Sequence, residues 1–413
     1  MPASLKTIRV IGAVLIALAV VPCGSARAQR DEDAPASARL QLTAVSFDDL
    51  PGWTREQHAE LLSVLIANCS GIRSFRDRPL GGAGYVAERA GSAVHWTEAC
   101  AAAQVLASTL LRPTRGDARR GHRAQAARQA AARGFFERHF AAYAAGTGTM
   151  TGYYEPVMRG ASSPDAEFRT PLFAPPPELG AGSPRLRGAT STRIPDRAAI
   201  EGGAFAGRNL EIIWLDDPLD AFFLHIQGSG RVVLPDGSLV RIGYAGQNGH
   251  PFVGLGRVLV EAGMPRDRMS MQGMRAWLRE AGPDRSAELM RRNPSFVFFR
   301  RVEGLAPSQG PIGAMGVPLT PRRSVAVDRA HIPLGLPLFV AARDPIDRRP
   351  FGRLVLAQDT GGMIRGPTRT DFFWGWGDEA GERAGRMYEE AQVFLLLPRP
   401  APQERIEMAQ ARR

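Results

Sequence analysis

Residues 358–375 read QDTGGMIRGPTRTDFFWG. Two acids, Asp359 and Asp371, flank a turn-rich segment, and the second runs directly into Phe372, Phe373 and Trp374. A carboxylate beside that much aromatic surface is costly when ionised and unpaired. Its placement therefore asks for a chemical reason. Immediately before it, Leu354-Val355-Leu356-Ala357 is a short, continuous apolar run of the kind that forms a buried strand.

Outward from this stretch, Phe296-Val297-Phe298-Phe299, Ser324-Val325-Ala326-Val327, Leu338-Phe339-Val340-Ala341 and Val393 to Leu397 read as further buried strands. They are separated by segments rich in Gly and Pro, the spacing of a small barrel. Asp328 follows the run ending at Val327, so Asp328, Asp359 and Asp371 all border strands and can meet at one end of such a barrel. Acids at strand ends also serve as ordinary turn residues.

The amino-terminal part is different. Thr54-Arg55-Glu56-Gln57 is a capping-box pattern ahead of the periodic Leu61, Leu62, Leu65 and Ile66. A second helix is expected from Thr97 to Leu111, and a third from about Ala118 to Ala145 with Gly146 as its stop. From Thr151 the texture turns to short strands, among them Phe222 to Ile226 and Arg231 to Leu234. Three short helices are expected near 252–262, 271–280 and 286–292, and the Pro-rich stretch 171–184 reads as a loop.

The chain has 413 residues, of which 44% are apolar and 23% charged, ordinary values for a globular protein of two or three domains. Lys6 and Arg9, the apolar run Val10 to Val21 and Ala26-Arg27-Ala28 form a secretory signal over residues 1–28. Cys23 offers the alternative of a lipid-modified amino end, with Pro22 standing where such sites take a small residue. Loss of the signal lowers the formal charge of +11 by three. The remaining basic excess suits an acidic polymer and equally a merely solubilising surface. Cys69 and Cys100 are either a disulfide of an oxidising compartment or two buried thiols.

Several chemistries fit poorly. The seven histidines are scattered, with neither HExxH nor paired CxxC spacing, so no metal site is expected. Gln227-Gly228-Ser229-Gly230 is not a nucleophile elbow. No strand–GxGxxG–helix unit or P-loop lysine is present, and export argues against nucleic acid in spite of the arginines at 119, 120, 123, 128 and 133. No cofactor is expected. Carboxylate chemistry remains, amid Tyr, Trp, Phe, Gln and Asn, side chains that stack on sugars and hydrogen-bond to them.

Thr151-Gly152-Tyr153-Tyr154-Glu155-Pro156, His225 to Arg231, Tyr244 to Gly249, Asn293 to Phe299 and the block from Val325 to Gly385 together resemble the membrane-bound lytic murein transglycosylase A family. The resemblance spans most of residues 45–398, in order. The last block also resembles the "three aspartates" domain, whose acids here are Asp328, Asp359 and Asp371. The resemblance implies a mainly β fold with N-terminal helices. A double-psi β-barrel would be formed by 29–150 and 306–400, with a second β-barrel domain inserted as 151–305. A glycan groove lies between them, and 401–413 is a C-terminal tail.

It further implies cleavage of the β-1,4 bond between N-acetylmuramic acid and N-acetylglucosamine, with the muramic 6-hydroxyl attacking its own anomeric carbon to leave a 1,6-anhydro end. Because the nucleophile is inside the sugar, one carboxyl suffices, first as acid and then as base, where other glycosidases use two. Asp371 is expected in that role, with a pKa raised by desolvation, and Asp359 in support. Tyr153, Gln227, Ser229, Gln247, Asn248 and Asp328 are candidate substrate contacts, the last with a structural alternative. Glu155 reads as a structural corner. The expected setting is the periplasm, as a monomer acting on peptidoglycan strands, with membrane attachment only through Cys23. A glycan-binding protein without activity and a water-using muramidase are the alternatives.

Overall fold

The computed structural model describes residues 40–76, 78–110, 118–179 and 194–399, with only the backbone of 118–121. The expected signal, Cys23, the tail and part of the 171–184 stretch lie outside the described residues.

Thirteen strands are described: β1 (Thr43–Val45), β2 (Phe140–Glu155), β3 (Val157–Ala161), β4 (Thr170–Phe173), β5 (Glu211–Leu215), β6 (Ser229–Val233), β7 (Leu239–Gln247), β8 (Val297–Val302), β9 (Ser324–Val327), β10 (Pro337–Arg343), β11 (Pro350–Asp359), β12 (Thr370–Trp376) and β13 (Tyr388–Pro398). The helices are α1 (His58–Phe75), α2 (Gly84–Ala90), α3 (Thr97–Leu110), α4 (Ala118–His139), α5 (Arg197–Ala199), α6 (Pro218–Gln227), α7 (Leu255–Glu261), α8 (Met271–Ala281), α9 (Pro283–Arg291) and α10 (Gly377–Arg386).

One sheet runs β1-β2-β12-β9-β11-β10-β13, and β13 also pairs with β2, closing six strands into a barrel with β1 as an outrigger. Two of its pairs, β9 with β11 and β2 with β12, are parallel, and the others are antiparallel. Closure removes the exposed edges that would otherwise template pairing with other chains. The second sheet has the order β4-β5-β3-β6-β7-β8 and curls so that its edges face each other. Phe173 at the end of β4 packs on Phe296 just before β8, and Arg301 of β8 donates to the carbonyl oxygen of Ile212 in β5. This sheet begins at Val157, whereas β2 carries the barrel through Thr151 to Glu155.

The barrel and α1–α3 share one apolar core, which includes Leu61, Leu65, Phe140, Val325, Leu338, Val355 and Leu395. Each such side chain contributes about 1.5–3 kcal/mol on burial. Cys69 and Cys100 form a disulfide, with Cα atoms 5.8 Å apart, that joins α1 to α3. The capping box expected at Thr54 does not form, for α1 starts after Gln57 with no side-chain cap. Glu56 is committed elsewhere: buried, it meets Arg323 at 2.8 Å and accepts the Leu354 amide, fastening the start of α1 to β9 and β11.

Three element assignments are overturned, one of them in part: Pro171 to Phe173, expected within a loop, lie in β4 and pair with β5. The expected helix 118–145 ends at His139, and Phe140 begins the sixteen-residue strand β2. The alanines of 141–145 favour a helix in isolation, but ladders with β1 and β13 capture them. Gly146 is not a helix stop. It has φ of 103°, and the β13 register skips Ala145 beside it, the mark of a bulge that bends the strand. Phe222 to Ile226, expected as a strand, is the middle of α6. The sequence carries the helix signals there: Asp217 caps the Leu219 amide at 2.7 Å, Pro218 opens the first turn, and Gly228 at φ 79° closes the last.

Candidate active site

Strand register decides which side chains meet. Asp371 on β12 pairs with Thr151 of β2 on one side and Ala326 of β9 on the other. Thr151 pairs in turn with Tyr388 of β13, and Ala326 with Asp359 of β11. The five residues Tyr388, Thr151, Asp371, Ala326 and Asp359 thus form one lateral row across the barrel. Directly paired residues project to the same side of a sheet, so the two acids share a face. Their Cα atoms are two strand spacings apart, roughly 10 Å, with the small Ala326 between them.

Alternation along β12 answers the question raised by the aromatic run. Phe372 and Trp374 project to the opposite face from Asp371, into the cluster covered by α10, where Phe351 packs against both. Gly152, paired with Phe372, makes this possible: a Cβ there would stand 2.8 Å from Trp374 and from the Ala384 backbone. Only Phe373 shares the acid face, with the Tyr153 ring 5.2 Å away. Trp376 is engaged elsewhere, under the Arg231 guanidinium at 3.9 Å. The aromatic residues therefore fix the strand and one flank of the site, and they do not enclose Asp371 as the sequence suggested.

The two carboxyls differ in their bonding. Both oxygens of Asp359 are engaged. Its Oδ1 accepts the amides of Ala314 at 3.0 Å and Thr360 at 2.9 Å, and its Oδ2 accepts the Tyr153 hydroxyl at 3.1 Å. Burial pushes its carboxyl up to about 6 against the pull of those three donors, and the charge on Asp371 adds to the rise. Asp371 has one bond, from the Thr151 hydroxyl to Oδ1 at 2.6 Å, and Oδ2 has no hydrogen-bond partner among the described residues. Burial raises its pKa, opposed by the Thr151 bond and by the Arg369 guanidinium. Arg369 donates to the Thr151 oxygen at 2.8 Å and to the Thr149 carbonyl oxygen at 3.2 Å. This fixes the direction of the relay, since the single Thr151 proton is left for Asp371. Burial first, then the Asp359 and Asp371 charges, drive the Tyr153 phenol well above its usual range, so it stays a donor.

The other expected contacts separate. Gln227 ends α6 and accepts the Tyr154 amide at 3.0 Å, tying α6 to β2. Ser229, nearly buried, starts β6 opposite Gly243, and half-buried Gln247 ends β7 opposite Val297. Asn248 is fully buried: it accepts the Phe296 amide and donates to the carbonyl oxygens of Pro195 and Pro294. It is an internal bracket and offers no surface to a ligand. Asp328 is also buried, with Oδ1 on the Ala330 amide and Oδ2 on the Gly366 amide, and so ties two loops together outside the acid row. Glu155 is a structural corner, buried between Arg231 at 2.8 Å and Arg241 at 2.9 Å. A cavity of about 670 Å³ lined by Arg78, Gly81, Ser92 and Arg329 includes neither Asp359 nor Asp371.

A closed barrel of this topology, with one acid on a β9 loop and two in a row across β9, β11 and β12, is a 3D domain, and the model of that domain matches residues 323–397. The MltA specific insert domain matches residues 149–300. The crystal structure of a membrane-bound lytic murein transglycosylase from Agrobacterium tumefaciens superposes with a TM-score of 0.72 at 34% identity, covering 88% of this chain and 99% of that one. The chain belongs to the membrane-bound lytic murein transglycosylase A family. The Escherichia coli (strain K12) relative of that name is 35% identical over 258 residues, 61% of this chain and 66% of its own length. A structure of E. coli MltA with bound chitohexaose superposes at TM-score 0.57 and 32% identity, covering 72% of this chain and 82% of that one. Among the described residues no helix is long and apolar enough to cross a membrane.

Proposed function

We propose that this chain is a peptidoglycan lytic transglycosylase, with Asp371 as its single acid/base and Asp359 in support. The observation that carries this reading is the unequal bonding of the two acids. Asp371 has an open oxygen and a pKa raised by burial, whereas both oxygens of Asp359 are occupied by donors.

In the proposed reaction the protonated Oδ2 of Asp371 gives its proton to the glycosidic oxygen. The bond from that oxygen to the anomeric carbon of N-acetylmuramic acid breaks, and N-acetylglucosamine leaves with a new hydroxyl. The 6-hydroxyl oxygen of the muramic acid bonds to the anomeric carbon, and its proton passes to the Asp371 carboxylate, which restores the acid. No water is consumed. Asp359, partly ionised near neutrality, stabilises positive charge on the sugar ring. Tyr153 orients Asp359, and Gln247 and Ser229 line the glycan path toward the second sheet. The enzyme works as a monomer in the periplasm without a cofactor, on glycan strands lying between the barrel, whose β2 runs on to Glu155 and which resumes over 306–400, and the inserted domain.

The presence of a second acid on the same face supports one rival, a muramidase in which Asp359 activates water. Mass measurement of peptidoglycan digests separates the two. The proposal expects products ending in 1,6-anhydromuramic acid, one water lighter than reducing ends. Reducing ends alone would assign Asp359 to water, and no digestion would leave a binding protein.

A further inference from the structure

Tyr388 is 78% exposed, more than any other large apolar or aromatic side chain among the described residues. It opens β13 and is paired directly with Thr151, the residue bonded to Asp371. Directly opposed residues have Cβ atoms about 5 Å apart on the same side of the sheet. The phenol ring therefore stands on the acid face, beyond Asp371 on the side away from Asp359.

Its backbone is fixed on both sides. Met387 is buried and receives the Trp374 indole N–H on its sulfur, and Glu389 is held by Arg348. A large ring held in water by a rigid strand contributes little to the fold. Its apolar face and hydroxyl tip suit a ligand that is itself apolar on one side and polar at its edge. A pyranose ring has that character.

We propose that Tyr388 forms a saccharide-stacking subsite, holding a ring of the glycan flat against the acid row on the Thr151 side so that the scissile bond lies over the open oxygen of Asp371. The inference rests on the glycan-cleaving function proposed above. It makes Tyr388 a residue of ground-state binding rather than of proton transfer. Its loss should raise KM and leave kcat nearly unchanged, because the bound strand still meets Asp371.

The test uses the mature protein and a hexamer of β-1,4-linked N-acetylglucosamine as probe. Binding is measured by calorimetry with Asp371→Asn and with that variant also carrying Tyr388→Ala or Tyr388→Trp. Tyr388→Ala should weaken binding roughly 3- to 10-fold, the range of one aromatic contact, and Tyr388→Trp should restore it. In the active enzyme Tyr388→Ala should raise KM for solubilised glycan by a similar factor with the same anhydro products. Equal affinity for the Ala and Tyr forms, or a fall in kcat at constant KM, would overturn the subsite while leaving the function standing. Failure of Asp371→Asn itself to bind the hexamer, with no digestion by the native enzyme, would overturn the function and the subsite together.

Discussion

Two carboxylates supplied by neighbouring strands meet opposite treatment. Glu155, at the end of β2, is wholly buried, and its two oxygens are taken up by Arg231 and Arg241. Those guanidiniums also bond the carbonyl oxygens of Pro307 and Gln309, and so pin the second sheet and the segment returning to β9 against the barrel. Asp371, on the adjacent β12, receives one hydroxyl and keeps an open oxygen. Burial alone does not make a proton donor. A carboxyl bracketed by two cations is a fastening, whereas one that is desolvated and under-bonded is free to exchange a proton. Only the second suits acid/base work.

The comparison can be broken by exchanging what each carboxyl loses. Asp371→Asn should lower the rate of glycan cleavage by roughly 10³- to 10⁴-fold, the upper range for a general acid. Its melting temperature should stay close to native, and near-native turnover would remove Asp371 from the reaction. Glu155→Gln should do the reverse. Two buried guanidiniums would lose their counter-charge, at about 3–5 kcal/mol of stability, read from the midpoint of denaturant unfolding. Cleavage per folded molecule should change far less than in Asp371→Asn, and an unshifted midpoint would show that the arginines find other partners.

The smallest effect is expected at Thr151→Val. Its hydroxyl favours the ionised form of Asp371, so removing it raises that pKa further. The acid must be protonated to act, and a higher pKa keeps it protonated to higher pH. The alkaline limb of the pH–rate profile should therefore move upward, and a downward shift would mean that Thr151 does not donate to Asp371.

Four of the six barrel strands were readable because each carries a short apolar run bounded by turn residues. Those expected at 324–327, 338–341, 354–357 and 393–397 all lie within β9, β10, β11 and β13. Local propensity misled where tertiary pairing or capping outweighed it, at the alanines opening β2 and the apolar centre of α6. The acids at 359 and 371 were visible as residues, but their neighbours were not. Thr151 and Tyr388 reach the row through register between segments more than two hundred positions apart, and nothing in the local pattern encodes that; Arg369, two positions before Asp371, was in view, but its bond to Thr151 was not. The error at β2 hid it further, because a helix through Ala145 obscures the ladder that places Tyr388 beside Thr151. Asn248 was misjudged for a related reason: a polar residue in a Gly-rich motif looks exposed until the carbonyls it brackets are known.

The long ladder between β2 and β13 has a further consequence for how the molecule comes into being. It joins residues 140–151 to residues 388–398, so the barrel closes on the last of its own strands in chain order. Contacts of such sequence separation slow folding because a large loop must be ordered before they form. The second sheet, formed from strands lying between 157 and 302, has all its partners much earlier. A chain emerging amino end first can therefore order that sheet while β2, paired only to the short β1, waits for β12 and β13. The row of Tyr388, Thr151, Asp371, Ala326 and Asp359 comes together only after β13 has been made. An interrupted chain lacking β13 holds both acids but no closed barrel to set them side by side, which confines the assembled site to chains that are whole through Pro398.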